Sequence, residues 1–506
     1  MKQSQRIVKN ALFGIASSLI GGGAYLATIL TIAHAVSVTG FGKYSFVLAF
    51  AMFVSNVADS GLPRMLIREI SKDPEQLVPL VGAGASLIWV ISIAICLLVA
   101  LIVPFLHFGT DVKIAVLGMS VATMATFHAA GYGAVLRAFE DNELNYLGFV
   151  LHKILLLVLV VGIVKFHFGL LGFVAAHLAS NVLLWNFYHV VVTRLYARIP
   201  LRLDVALWKS LLTAALPMGG SVMLRQLALQ LDILVLAWMT NLTNVGLFSG
   251  PYRLSMALRI IPQTLALPLF PLFSRTAHLS PARFTEAYRW STKFFALISF
   301  PMAAFFLAWS KPILRIALGQ KYLAAIPAMQ LLGIGIIPFF LSTLFQYLFA
   351  ALDQQKRFLV STCVGSTLRL LLLVALIPLL GFVGPAAAFL CAETVIVTIW
   401  MMQLARLGFR ANLGDVIWRP LIAGAAMTIV LFVAREAMEF WHLSTAGLRL
   451  ALVWQLGAAG LALVVYGVVL LALKTFSVEE VRHAREGLAF FSPFVASWAK
   501  KLKRDS

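Results

Sequence analysis

The sequence predicts an all-α integral membrane protein of about fourteen transmembrane helices, built as two six-helix lobes related by a pseudo-twofold along the membrane normal, plus two extra C-terminal helices. Three observations predict it. The 506-residue chain is 61% hydrophobic and only 12% charged, against roughly 25% charge in soluble domains. Apolar stretches of about 20 residues, the length that crosses a bilayer as a helix, follow one another from Ala11 to Leu473. Stretches of the first half also recur in the second at a nearly constant offset. A soluble globular protein, a single-anchor receptor and a secreted enzyme are excluded.

The apolar segments lie at roughly 10–37, 41–63, 78–106, 112–136, 144–165, 169–193, 208–239, 244–273, 291–310, 322–350, 358–380, 383–405, 418–440 and 445–473. Lys2, Arg6 and Lys9 precede the first, which reaches Ala33-His34-Ala35, a site like those cleaved in secretory signals. The run is longer than the about 7–15 residues of a signal core, so it reads as a retained first membrane helix. Fourteen crossings put both termini on one side. If that side is the cytoplasm, and residues near segment ends are counted with the adjoining gap, 27 of the 40 Lys and Arg lie there, including Arg64, Arg68, Lys72, Arg194, Arg198 and Arg202, against 8 opposite and 5 deep within segments. The positive-inside rule selects this orientation.

The net charge of +20 comes without a nucleic-acid-binding motif, and most of the Lys and Arg sit in short gaps between apolar segments. The partner it implies is the anionic headgroup layer of a phospholipid bilayer, with no nucleic acid. Cys96, Cys363 and Cys391 fall inside apolar segments with no CxxC spacing or Cys/His cluster. Neither a disulfide framework nor a metal site follows, and no cofactor motif is present.

A shift of 204 lays Ala11-Leu12 on Ala215-Leu216, and Thr39, Gly42, Tyr44 and Ser45 on Thr243, Gly246, Phe248 and Ser249. A shift of 212 lays Gly169, Gly172, Ala175 and Ala176 on Gly381, Gly384, Ala387 and Ala388. Segments 1–6 thus match segments 7–12 in the same order and, six crossings apart, in the same orientation. The domains expected are an N-terminal lobe at 1–205, a C-terminal lobe at 206–408, segments 13 and 14 at 409–474, and a tail at 475–506. In the tail, Ser477-Val-Glu-Glu480 reads as a capping box opening an amphipathic helix that ends in Lys500, Lys501, Lys503 and Arg504. It is expected to lie on the cytoplasmic leaflet.

Ionisable side chains within apolar helices are costly, so each is a functional candidate. They are Asp59, His128, Lys153, His177, Arg225, Asp232, Arg253, Arg259, Arg369 and Glu393. Arg225 and Asp232, two turns apart, share a face of segment 7. Counting from the hairpin near 240–244 sets Arg253 at the depth of Asp232 and Arg259 at that of Arg225. Asp232 with Arg253 would neutralise each other, as a lobe-stabilising bridge or as a coupling element. Arg225 and Arg259 would leave two cations for an anionic substrate. The 204 shift maps these four positions to Gly21, Thr28, Ala49 and Ser55, so the fold does not demand the charges.

Lys153 and Arg369, near mid-depth of matching segments 5 and 11, add two cations. The expected substrate-binding set is Arg225, Arg259, Arg253, Lys153 and Arg369, and the expected coupling or charge-pair set is Asp232, Glu393 and Asp59. Glu393 has no basic residue within a turn of its own helix, which makes it the candidate for titration. Asp59 reads equally as a helix cap or a partner of Arg64. His128 and His177 are either proton carriers or hydrogen-bonded packing residues. Gly21-Gly22-Gly23, Pro217 and Pro251 either bend the cavity helices or, for the glycines, allow close packing. The longest gaps are on the order of 20 residues and hold no acid/base or metal constellation, so no enzyme is expected.

Thr39-Gly-Phe-Gly-Lys-Tyr-Ser45, Asp59-Ser-Gly-Leu62, Arg68-Glu-Ile-Ser71, the Asp232-Ile-Leu-Val-Leu stretch leading to Val245-Gly-Leu-Phe-Ser249, and the two GxxGxxAA segments carry a resemblance over most of residues 1–405. The sequence resembles the polysaccharide transporter family, the Wzx-type flippases of the multidrug/oligosaccharidyl-lipid/polysaccharide superfamily. That resemblance implies movement of an undecaprenyl-diphosphate-linked oligosaccharide, such as an O-antigen precursor, from the cytoplasmic to the periplasmic leaflet of a bacterial inner membrane. It also implies alternating access coupled to H+, Na+ or the membrane potential, by a protein expected to be a monomer with both termini cytoplasmic. A lipid II flippase and a multidrug/cation antiporter are the alternatives within the superfamily. A membrane glycosyltransferase or polymerase is the alternative outside it.

Overall fold

The computed structural model describes the backbone of 3–59, 61–412, 414–440 and 448–475, and the side chains within these except 3–12, 15, 58, 59, 216–222, 224, 225, 415, 439, 440 and 448–452. The tail from 476, with its capping box and basic end, lies outside the described residues. No strand occurs among the described residues, and the helices run α1 (Gln3–Ala35), α2 (Val38–Asp59), α3 (Leu62–Lys72), α4 (Leu77–Ile102), α5 (Thr110–Ala138), α6 (Asn142–Lys165), α7 (Gly169–Leu195), α8 (Val205–Met239), α9 (Leu242–Ala257), α10 (Ile260–Ala266), α11 (Phe270–Leu279), α12 (Pro281–Ala308), α13 (Ser310–Ala317), α14 (Ile326–Ala351), α15 (Gln355–Leu380), α16 (Gly384–Arg406), α17 (Gly414–Phe440) and α18 (Leu448–Ala472).

Twelve stretches among the described residues are long and apolar enough to cross a membrane. One of them, Gln355–Arg406, contains both α15 and α16, and the 35-residue α8 adds another helix of spanning length. All fourteen segments read from the sequence are therefore helical. Leucines and valines such as Leu97, Leu101, Val158 and Leu371 point outward, each at least 60% exposed. In water such a surface would aggregate; against acyl chains it is at rest, and this is a multi-pass membrane protein.

Packing repeats between the lobes. α5 lies on α7 as α14 lies on α16, α1 on α6 as α8 on α15, α6 on α7 as α15 on α16, and α4 on α5 as α12 on α14. α17 packs on α12 and α18 on α17, outside the repeat. The lobes meet mainly where α2 crosses α9. There Thr39 Oγ1 lies 2.8 Å from Thr243 Oγ1, its own mate under the 204 shift. A Cβ on Gly42 would collide with the carbonyl of Leu242, and one on Gly246 with the carbonyl of Val38. Residue 42 meets 242 while 246 meets 38, the reciprocal contact that a twofold axis produces and a translation does not. Only glycine permits this backbone approach. The same end is fastened by Lys321, whose Nζ donates to the carbonyls of His34 (3.0 Å) and Val36 just beyond α1, and by Phe41 edge-on to Tyr322.

α1 is continuous through its three glycines. Gly21 is a packing position, since a Cβ there would strike Phe149 of α6, whereas Gly22 and Gly23 have open space beside them. Pro251 lies inside α9, and the eighth segment breaks further on, at Leu258-Arg259. The cause is Pro262, whose ring would clash with the carbonyl four residues back, that of Leu258. Ile261 N–H then bonds to Leu258 O in a tighter turn at 3.1 Å. Pro268 and Pro271 break the remainder into a short 3₁₀ turn and α11. Pro217 lies among the positions without a described side chain.

Candidate functional site

A cavity of about 860 Å³ opens between the lobes, walled by α1, α2 and α5–α10. Its lining on α1 runs from Ser18 to Ile29 and stops short of the closed end at Thr39 and Thr243. Three cations line it: Lys153 from α6, Arg253 from α9 and Arg259 from the break after α9. No Asp or Glu lines it among the described residues. Tyr25 of α1 lies between two of the cations. The Lys153 ammonium stands 4.8 Å from the Tyr25 ring centroid, and Arg253 Nη1 donates to the Tyr25 hydroxyl at 3.5 Å. Arg253 Nε is buried without a partner among the described residues. Arg259 lies over the Phe339 ring, 5.4 Å from its centroid. An aromatic face holds a cation without neutralising it, as the Tyr25 ring does for the Lys153 ammonium.

The pairing of Asp232 with Arg253 is overturned. Asp232, 0% exposed, is bound by Arg369 of α15, whose Nε donates to Oδ1 at 2.9 Å and Nη2 to Oδ2. Distance from a hairpin fixes a residue's depth but not its direction around the helix axis. Asp232 faces the lobe interior while Arg253 faces the cavity. Arg369 is thereby removed from the cavity set as a neutralised partner, stacked at 4.9 Å on Phe389. Glu393 shares a cavity of about 50 Å³ with Arg369, Ser342, Thr362 and Ser366. Its own helix offers no base within a turn, but the neighbouring helix brings Arg369 to the same cavity. The side chains of Arg225 and Asp59 lie outside the described residues.

Of the histidines, His128 lies away from the main cavity, 3.5 Å from Ser92 Oγ and tilted against the Trp89 ring with centroids 4.4 Å apart, as a packing residue does. His177 lines the cavity with Nε2 3.0 Å from the Tyr44 hydroxyl. His152 also lines it, with Nε2 2.7 Å from Asn181 Oδ1. Sequence reasoning missed His152, Tyr25 and the amides of Gln226, Gln230 and Gln263. The spacing of Gln226 and Gln230, four apart on one face of an apolar helix, is the signal that could have found two of them.

Two family profiles match the chain, one described as "Polysaccharide biosynthesis protein" over residues 7–277 and one as "Lipid II flippase MurJ" over residues 154–452. No curated protein sequence matches it significantly. Among solved structures the fold is similar to the lipid II flippase MurJ in an inward closed conformation, at TM-score 0.70 and 13% identity, covering 91% of this chain and 98% of that one. It is also similar to an inward-facing MATE multidrug resistance transporter, at 0.63 and 17%, covering 79% and 98%. A MOP superfamily transporter from Pyrococcus furiosus, described for the reverse polarity of its binding pocket, matches at 0.56 and 16%, covering 79% and 95%. At such identities the solved structures speak for the fold, and the two profile matches, each over more than half of the sequence, speak for the family: the chain belongs to the polysaccharide biosynthesis protein family and shares the flippase profile.

Proposed function

We propose that this flippase carries a lipid-linked oligosaccharide whose undecaprenyl-type diphosphate rests among Lys153, Arg253 and Arg259, and that it delivers this lipid from the cytoplasmic to the periplasmic leaflet of a bacterial inner membrane. The observation that carries the reading is a cavity with three cations and no carboxylate among its described lining. A diphosphate accepts charge-assisted hydrogen bonds from several donors at once, and the amides of Gln226, Gln230 and Gln263 suit sugar hydroxyls. A cationic drug, the cargo of an antiporter, would meet only repulsion there. Arg225 remains a proposed member of the binding set. The lobes at 1–205 and 206–408 would rock about the Thr39–Thr243 seam, with 409–474 as an added pair of helices, both termini cytoplasmic, the basic tail on the leaflet, and H+ or Na+ as coupling ion in a monomer.

The test uses proteoliposomes and a fluorescent polyprenyl-diphosphate oligosaccharide. Each of Arg253→Gln and Lys153→Gln is expected to lower flipping by roughly 10- to 150-fold, the equivalent of a lost hydrogen bond to a charged group, with an unchanged size-exclusion profile. Arg253→Lys and Lys153→Arg should lose less. Wild-type rates in both Gln variants would end the reading.

A further inference from the structure

We infer that His152 is the proton-loading residue of the cavity, binding one proton when the anionic substrate binds. The inference rests on the diphosphate reading of the cavity and adds a residue and a linkage to it.

The hydrogen-bond network fixes the ring. Asn181 Nδ2 donates to the carbonyl of Ala122 at 2.8 Å, and a carbonyl can only accept, so the amide oxygen must face His152. Across that 2.7 Å contact His152 Nε2 is therefore the N–H donor. In the neutral ring the other nitrogen, Nδ1, is then a bare acceptor, with no hydrogen-bond partner among the described residues, on a side chain that lines the cavity. A bare Nδ1 presents a lone pair to an arriving phosphate oxygen and repels it. A protonated Nδ1 presents a donor, and the bond to Asn181 survives protonation intact. His177 carries no such assignment, because the Tyr44 hydroxyl can donate or accept.

Charge acts in the same direction. The titratable and charged groups that share the wall with His152 are Lys153 on its own helix, Tyr25 on α1, His177 on α7, itself bonded to Tyr44 of α2, and Arg253 and Arg259 at the end of α9, while α5 contributes only Thr123 and Thr126. With the cavity empty, an imidazolium would be a further cation beside Lys153 and Arg253, with no acid among these groups. A diphosphate diester brings two negative charges and removes that penalty. Anion and proton thus favour each other, and the coupling is reciprocal.

The probe is a short-chain prenyl diphospho-N-acetylglucosamine, a diester whose phosphates stay fully ionised around neutral pH. Its binding to the detergent-purified full-length protein is measured by titration calorimetry at pH 7 in two buffers of different ionisation heat, which counts protons bound per probe. Wild type is expected to bind up to one proton, with affinity falling by up to about tenfold per pH unit as pH rises. His152→Gln should bind the probe more weakly, with no proton uptake and a flat pH profile. Asn181→Asp, which sets a carboxylate against Nε2 and holds the ring protonated beforehand, should bind with reduced uptake, an effect that a merely structural role for the pair does not produce. Probe binding without proton uptake in wild type, or undiminished uptake in His152→Gln, would overturn the assignment and leave the diphosphate reading standing. No binding to wild type at all would overturn both.

Discussion

Asp232 faces the interior of its lobe and Arg253 the cavity, and the difference separates stability from transport. Asp232 is sealed inside the C-terminal lobe, where its carboxylate holds charge only through the two donors of Arg369. Removing one member strands the other, which in buried pairs costs about 3–5 kcal/mol, whereas replacing both by apolar residues is often neutral. Asp232→Asn and Arg369→Met are therefore each expected to lower the thermal midpoint in detergent sharply, and Asp232→Leu/Arg369→Met to recover most of it. An additive loss in the double variant would mean that the pair is not the unit of stability. The sequence carried enough to pick out both residues, because charges in apolar segments are conspicuous. It did not carry the pairing, because a single helix does not encode the direction in which its neighbour presents each face. Tyr25 was invisible for a related reason, since a tyrosine is not unusual in an apolar helix until a cavity opens beside it, whereas His152, next to Lys153 in an apolar segment, met the same criterion as His128 and His177 and was overlooked.

At the scale of the element, the eighth segment shows how a few prolines build a wall. α9 ends at Ala257, Arg259 sits in the break and α10 resumes at Ile260, so the guanidinium lines the cavity from a tightened turn. The break follows from the ring of Pro262 against the Leu258 carbonyl, a conflict worth about 3 kcal/mol or more in a helix interior. Pro262→Ala restores an N–H and removes the clash, so α9 should run on through Arg259 and rotate it away from the substrate. The expected outcome is slower flipping with an equal or higher thermal midpoint, although no charge has changed. Flipping at the wild-type rate would show that the break does not position Arg259. Proline content was legible in the sequence, but which proline interrupts the helix depended on what the carbonyl four residues earlier could do. α3 and α13 were not legible as helices at all. At 11 and 8 residues, with Lys and Arg among them, they fall below the length that apolar patterning resolves.

For the whole molecule, the repeat detected at an offset of 204 predicts a physical symmetry, and the seam between α2 and α9 carries it. Positions 42 and 246 are mates under that offset, and each would press a side chain onto the opposite backbone, Gly42 onto Leu242 and Gly246 onto Val38. A closed seam at this end is the counterpart of a cavity open toward the other, so a wedge here should shift the protein toward the conformation open at the seam. The twofold makes the expectation specific: Gly42→Val and Gly246→Val must act alike, because each inserts the same bulk at the same distance from the same axis. Thr243→Cys, introduced as a reporter beside Thr39, should label faster with a membrane-impermeant maleimide in both variants than in the parent. Gly467→Ala on α18, where a Cβ meets nothing within 4 Å, should leave labelling unchanged. Flipping should fall in both valine variants, since a transporter that cannot close one end cannot complete its cycle. A response to Gly42→Val without one to Gly246→Val would break the symmetry argument, and with it the idea that the lobes rock about a shared axis.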